Sequence, residues 1–172
     1  MVSVKKAVFL DRDGVINNNS KHYYIYKEED FEFVEGIQEI LLQLSRLDYL
    51  LIIITNQGGI AKGIYSMEDV EKLHSFMQRE LEKQGITITD IYVCPHYPDY
   101  GSCLCRKPGS LLIEKALSFY NIAKSRSVFI GDSETDMISA ASAGISKIKV
   151  EGNKNMLYNY QVNLLLDNSF FN

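Results

Sequence analysis

The chain has 172 residues, 46% hydrophobic and 23% charged, which suits one soluble domain with a sizeable core. A formal net charge of −4 and the lack of a basic tract argue against a nucleic-acid partner. The longest apolar run, around Leu50 to Ile54, is far too short to cross a bilayer, and the run behind Lys5 and Lys6 stops at Asp11, too early for a secretory signal. A cytoplasmic protein is expected.

Val4 to Leu10 reads as a buried strand, and it ends in Asp11-Arg12-Asp13-Gly14. Two carboxylates one residue apart repel each other, so they need a cation or a shared proton. Gly14 lets the backbone turn sharply behind them. Asn17 to Tyr24 is polar and aromatic without a period, a loop over the strand end. From Gly36 to Leu47 the apolar residues Ile37, Ile40, Leu41, Leu44 and Leu47 fall on one helical face. Leu50 to Ile54 suits a strand buried on both sides, and it ends in the turn Thr55-Asn56-Gln57-Gly58-Gly59.

Ser66 and Asp69 resemble a capping box opening a helix with Val70, Leu73, Met77 and Leu81 inward, closed at Gly85. Ile88 to Val93 is a third strand, Ser110 to Tyr120 a helix, and Ser127 to Ile130 a fourth strand ending in Gly131-Asp132. Glu134 to Ala143 reads as a short helix, Ile148 to Val150 as a short strand, and Val162 to Leu166 as a last strand. Alternating strands and helices predict an α/β, doubly wound, mainly parallel sheet with right-handed crossovers. No internal repeat or linker breaks the chain, so residues 1–172 are read as one domain, and no feature calls for an oligomer: a monomer is expected.

In a parallel sheet the strand ends lie along one edge, so Asp11, Asp13, Thr55 and Asp132 can converge. Three carboxylates suit a hard divalent cation, most naturally Mg²⁺. Such a cation neutralises a phosphate that is attacked by a carboxylate. The Thr55 hydroxyl and the backbone N–H groups of the following turn can hold phosphoryl oxygens, and Lys107 adds a compact positive charge. Each piece alone is as easily a turn or a helix cap; the joint occurrence, each directly after an apolar strand, is what points to a site.

All three cysteines lie between positions 94 and 105, beside a histidine: Cys94-Pro95-His96, six residues, then Cys103-Leu104-Cys105. Four such ligands on a short loop suit tetrahedral Zn²⁺ with no open position, a structural site. The loop runs straight into Arg106 and Lys107, so zinc would fix the backbone that carries both. Arginine can grip a phosphate with two donors, and Arg106 is expected to hold the part of the substrate that is not cleaved.

Phe9-Leu10-Asp11-Arg12-Asp13-Gly14, Thr55-Asn56, Lys107 and Gly131-Asp132-Ser133-Glu134-Thr135-Asp136 resemble the four motifs of the haloacid-dehalogenase-like phosphohydrolases. The resemblance implies that Asp11 is the nucleophile forming an aspartyl-phosphate, and that Asp13 protonates the leaving group and then activates water. It implies Thr55 and Lys107 on the phosphoryl group, and Asp11, Asp132 and the backbone carbonyl of Asp13 on Mg²⁺. Asp136 would orient the metal's waters or Lys107. Asn56, Gln57, Gly58, Ser133 and Tyr24 join Arg106 as candidate phosphate- or substrate-binding residues.

Two groups of that superfamily carry a zinc loop followed by Cys-Arg-Lys-Pro: the D-glycero-D-manno-heptose-1,7-bisphosphate 7-phosphatases and the histidinol-phosphate phosphatases. Asp30-Phe31-Glu32-Phe33, the run Thr55 to Gly63 and Ile91-Tyr92-Val93-Cys94-Pro95-His96 are similar to the heptose group, with Ile60 to Gly63 discriminating best. The short zinc loop is nearer the histidinol-phosphate group in length. The resemblance implies a small sugar phosphate as substrate, Mg²⁺ and Zn²⁺ as cofactors, and no large cap domain. Histidinol phosphate or another small phosphomonoester stays open as the alternative, as do a phospho-aspartate receiver and a non-catalytic zinc-binding module.

Overall fold

In the computed structural model, which describes residues 4–171, ten main elements follow one another. They are β1 (Lys6–Leu10), α1 (Ile37–Arg46), β2 (Tyr49–Asn56), α2 (Met67–Glu82), β3 (Asp90–Cys94), α3 (Leu111–Phe119), β4 (Val128–Gly131), α4 (Glu134–Ala143), β5 (Ser146–Lys149) and α5 (Tyr160–Leu166). The strands form one sheet in the order β3-β2-β1-β4-β5, and every pairing is parallel. Winding reverses between β1 and β4, and in such sheets the crevice at the reversal, at the carboxyl ends of the strands, is where ligands bind.

The period-2 alternation of the strands divides the core between two faces. Val8, Leu10, Leu51, Ile53, Val128 and Ile130 pack with α1, α2 and α5 on one side. Ala7, Phe9, Ile52, Ile54 and Phe129 pack with α3 and α4 on the other. Both faces of β1 are therefore dry, and its end is held rigidly. No inserted cap domain occurs among the described residues.

Boundaries move by a residue or two from the sequence reading. The first strand starts at Lys6, the third at Asp90, and the fifth covers Ser146–Lys149 instead of ending at Val150. One element changes type. Val162 to Leu166 is not a last strand but part of helix α5. Asn159 caps it, its side chain accepting from Val162 N–H at 3.1 Å. Val162 and Leu165, one helical turn apart, are both buried in the face shared with α1. A five-residue apolar run fits either period, and the cap together with that apolar groove decides.

Candidate active site

Asp11 follows β1 directly, and its N–H donates to the carbonyl of Ile130 on β4 at 3.1 Å, which ties the nucleophile candidate to the neighbouring strand end. Gly14, at φ +83°, turns the chain, and its N–H reaches the carbonyl of Asn17 at 2.8 Å. Asp132, just beyond β4, has its Oδ2 wedged between two glycines: a Cβ on either Gly14 or Gly152 would run into it. That cradle restricts where the Asp132 carboxylate can lie. Ligand oxygens of Asp11, Asp132 and Asp136 lie within 4.8 Å of one another.

Lys107 Nζ sits in the middle of this cluster, 2.8 Å from Asp11 Oδ1, 2.7 Å from Asp136 Oδ1 and 3.0 Å from the carbonyl of Ile54. Burial works to lower the lysine's pKa, but Asp11 and Asp136 outweigh it, and the net direction is upward. The ammonium stays charged. Burial raises Asp11 to about 7 against the pull of Lys107, with Asp136 and Asp13 adding to the rise. Asp132 is raised too, by burial first and Asp136 second. One ammonium cannot neutralise three carboxylates, one buried and two partly buried. The surplus negative charge and the all-oxygen donor set fit a hard divalent cation. Asp136 is committed elsewhere: its Oδ2 accepts from Ser133 N–H and Oγ at 3.0 and 2.6 Å, and its Oδ1 faces Lys107. Asp11 and Asp132 are left for the metal.

Asp13 is held by three side chains. Arg12 Nη2 lies 2.9 Å from both its oxygens, Asn17 Nδ2 donates to Oδ1 at 3.0 Å, and Gln57 Nε2 donates to Oδ2 at 2.9 Å. Gln57 Nε2 also donates to Thr55 Oγ1 at 2.8 Å, and Tyr65 OH donates to Gln57 Oε1 at 2.7 Å. These bonds lock the carboxylate toward a cleft of about 220 Å³ lined by Asp11, Asp13, Asp132, Gln57, Gly58, Tyr24, Tyr97 and Arg106 among others.

The zinc ligand candidates converge. The Sγ–Sγ separations are 3.2 Å (Cys94–Cys105), 3.6 Å (Cys103–Cys105) and 3.7 Å (Cys94–Cys103). His96 Nδ1 lies 3.2 Å from Cys105 and 3.7 Å from Cys94. Zinc bonds of ordinary length give tetrahedron edges of about 3.5–3.8 Å between such ligands, close to this set. No pair is at disulfide distance, and all three cysteines are free. The four residues fit a closed tetrahedral metal site. The loop is laced to the end of β2: Gln57 N–H donates to the carbonyl of Cys94 at 2.8 Å and Ala61 N–H to that of Pro95 at 3.2 Å. At its far end Arg106 Nη1 donates to the carbonyl of His96 at 2.9 Å, and the guanidinium lies 5.3 Å from the centre of the Tyr97 ring.

A HAD-hydrolase-like family model matches residues 104–160. A D-glycero-beta-D-manno-heptose-1,7-bisphosphate 7-phosphatase of Vibrio cholerae is 42% identical over 157 residues, which is 87% of this chain and 83% of that one. The chain belongs to the heptose-bisphosphate phosphatase family. Another relative, a D-glycero-alpha-D-manno-heptose-1,7-bisphosphate 7-phosphatase of Campylobacter jejuni, is 46% identical over 143 residues, 83% of this chain and 80% of its own. The crystal structure of D,D-heptose 1,7-bisphosphate phosphatase from B. bronchiseptica, complexed with magnesium and phosphate, matches with a TM-score of 0.80 at 30% identity. It covers 88% of this chain and 83% of that one.

Within this family fold, most residues singled out in the sequence meet at one place. Two have side chains engaged in another capacity. Asn56 lines the cleft, but its side-chain amide bonds both backbone groups of Lys107, accepting at 3.0 Å and donating at 3.1 Å. Ser133 forms the capping box of α4 with Asp136 and lies outside the cleft lining. Thr55 is buried beneath Gln57. Residues the sequence reading passed over are Arg12, Asn17, Tyr65, His74, Tyr97 and Gly152. His74 carried a signal, since it stands on the same helical face as Val70, Leu73 and Met77, and a buried polar group must find a partner; Arg12, flanked by Asp11 and Asp13, carried none.

Proposed function

We propose that this chain hydrolyses the 7-phosphate of D-glycero-D-manno-heptose 1,7-bisphosphate and releases the heptose 1-phosphate. The observation that carries the reading is Asp11, a partly buried carboxylate lining the cleft with Lys107 at 2.8 Å and Asp132 beside it. A carboxylate oxygen of Asp11 attacks phosphorus, and the bond to the C7 oxygen breaks. Asp13 gives its proton to that oxygen. Water then attacks the aspartyl-phosphate, Asp13 takes its proton, and Asp11 and inorganic phosphate are regenerated. Lys107 offsets charge on the phosphoryl oxygens, and the Thr55 hydroxyl with the N–H of Gly58 completes their cradle.

Asp11, Asp132 and the backbone carbonyl of Asp13 would hold Mg²⁺, which when bound supplies charge neutralisation at the phosphoryl group. Cys94, His96, Cys103 and Cys105 would hold Zn²⁺ in a structural role, keeping Arg106 at the rim to grip the phosphate that stays. The reading is of a cytoplasmic monomer acting as one domain on a soluble sugar phosphate.

Turnover of heptose 1,7-bisphosphate and histidinol phosphate, measured side by side with EDTA and Mg²⁺ add-back, tests it. The bisphosphate should be preferred, EDTA should stop the reaction, and a preference for histidinol phosphate would falsify the substrate assignment. Arg106→Ala should raise the Michaelis constant for the bisphosphate; an unchanged constant removes Arg106 from that role. Elemental analysis should find one zinc per chain.

A further inference from the structure

Arg12 is fully buried, and a guanidinium in that position needs acceptors on every side. Its bonds are lopsided. Nη2 alone serves both oxygens of Asp13, at 2.9 Å each, and the carbonyl of Ile25 at 2.8 Å. Nε has no hydrogen-bond partner. Contacts at a single nitrogen fix only one corner of the guanidinium through hydrogen bonds. The second anchor is His74 on α2, whose Nε2 lies 3.2 Å from Arg12 Nη1.

A guanidinium has donors only, so His74 Nε2 must accept and the ring proton sits on Nδ1. The surroundings enforce this neutral form, burial first and the Arg12 charge second pushing the imidazole down to about 3. Helix α2 thus presents a fixed acceptor beneath the catalytic loop.

We propose that His74 is a positioning residue for Asp13, acting through Arg12: by fixing Nη1 it sets the plane of the guanidinium and so the direction of the carboxylate that Nη2 holds. This rests on the reading of Asp13 as proton donor to the leaving group. General acid catalysis matters most when the leaving oxygen is a poor one. A sugar alkoxide needs Asp13; a p-nitrophenolate leaves without help.

The test compares His74→Leu, His74→Met and His74→Gln with the natural enzyme at saturating Mg²⁺. The readout is kcat/KM, which reports the first chemical step, on heptose 1,7-bisphosphate and on p-nitrophenyl phosphate. Leu removes the acceptor and Met leaves only a weak thioether sulfur, so kcat/KM should fall about tenfold or more on the sugar substrate and much less on the aryl one. Gln, whose side-chain oxygen accepts, should stay within about threefold of the natural enzyme on both. Equal losses on the two substrates, no loss at all, or a Gln variant no better than Leu and Met would overturn the proposal. Melting temperatures identify any variant that does not fold, and the Gln variant keeps the question decidable if both apolar ones fail. Asp13→Asn is measured in parallel. If it loses equally on both substrates, the reading of Asp13 as proton donor is what fails, whatever His74 does.

Discussion

Among the described residues, Asp132 is confined by backbone and not by hydrogen-bonding side chains. Its Oδ2 lies against the Cα positions of Gly14 and Gly152, and the second of these comes from the turn after β5, far from the catalytic motifs in sequence. Groups that orient a metal ligand typically change metal affinity or activity by about 10–100-fold when altered. Gly152→Ala should therefore raise the Mg²⁺ concentration for half-maximal activity within that range, read from a Mg²⁺ titration, while the protein stays folded. Asp11→Asn should lose roughly four orders of magnitude or more in kcat, as expected for a nucleophile. Its fold should survive, because Lys107 keeps Asp136 at 2.7 Å and the carbonyl of Ile54 at 3.0 Å. An Asp11→Asn enzyme with normal turnover would leave the paired carboxylates without a catalytic role.

At the scale of elements, the loop carrying the candidate zinc ligands joins β3 to Arg106 and Lys107, the proposed phosphate-binding residues. Its first ligand, Cys94, is the last residue of β3, and Asn56 at the end of β2 clamps Lys107 at the other end. Both ends stay tied to the sheet without a metal; the middle does not. A zinc chelator should leave a folded protein whose kcat/KM drops by about tenfold or more, restored by Zn²⁺ and not by Mg²⁺. Helix α4 supplies a second element-scale prediction. Ser133 accepts from Asp136 N–H at 3.2 Å in its capping box. Ser133→Ala should cost about 1 kcal/mol in urea unfolding, the usual price of losing a cap. It should leave the Michaelis constant unchanged, whereas a raised constant would mark Ser133 as a substrate contact after all.

For the whole molecule, buried titrating groups set the response to pH. His74 is neutral when folded, its pKa pushed down to about 3 by burial and by Arg12. The unfolded chain takes up that proton below about pH 6.5. Between those limits the unfolded state binds more protons, so this group's share of stability is lost as pH falls, at up to about 1.4 kcal/mol per pH unit. Asp11, raised to about 7, acts in the opposite sense: the folded state binds its proton first, so acidification below about pH 7 favours folding of the metal-free protein. The two contributions oppose each other, and the difference between natural enzyme and His74→Gln isolates the first. As pH is lowered from 6.5 toward 4, the urea midpoint of the natural enzyme should fall relative to that of His74→Gln. A constant difference would mean that His74 titrates normally in the folded state.

Much of this protein is decided locally. Apolar runs with β-sheet composition, helical spacing such as Ile37, Ile40, Leu41 and Leu44, and the capping pair Ser66 and Asp69 act over a few residues, and the structure keeps each of them. The catalytic candidates were legible for the same reason: parallel strands all end on one side, so Asp11, Asp13, Thr55 and Asp132 had to come near one another. The candidate zinc ligands lie within a dozen residues and needed no fold to bring them together. What local sequence could not decide depends on partners distant in the chain. Val162 to Leu166 fits strand and helix alike, and only the groove beside α1 settles it. Asn56 and Ser133 stand in phosphatase motifs, yet their side chains bond Lys107 and Asp136. The cradle of Asp132, built by Gly14 and Gly152, and the chain His74–Arg12–Asp13 exist only once turns and helices far apart in sequence are packed together. Local interactions chose the elements and the reacting groups; burial, which forces each charged or polar group to find a partner across the fold, chose their directions.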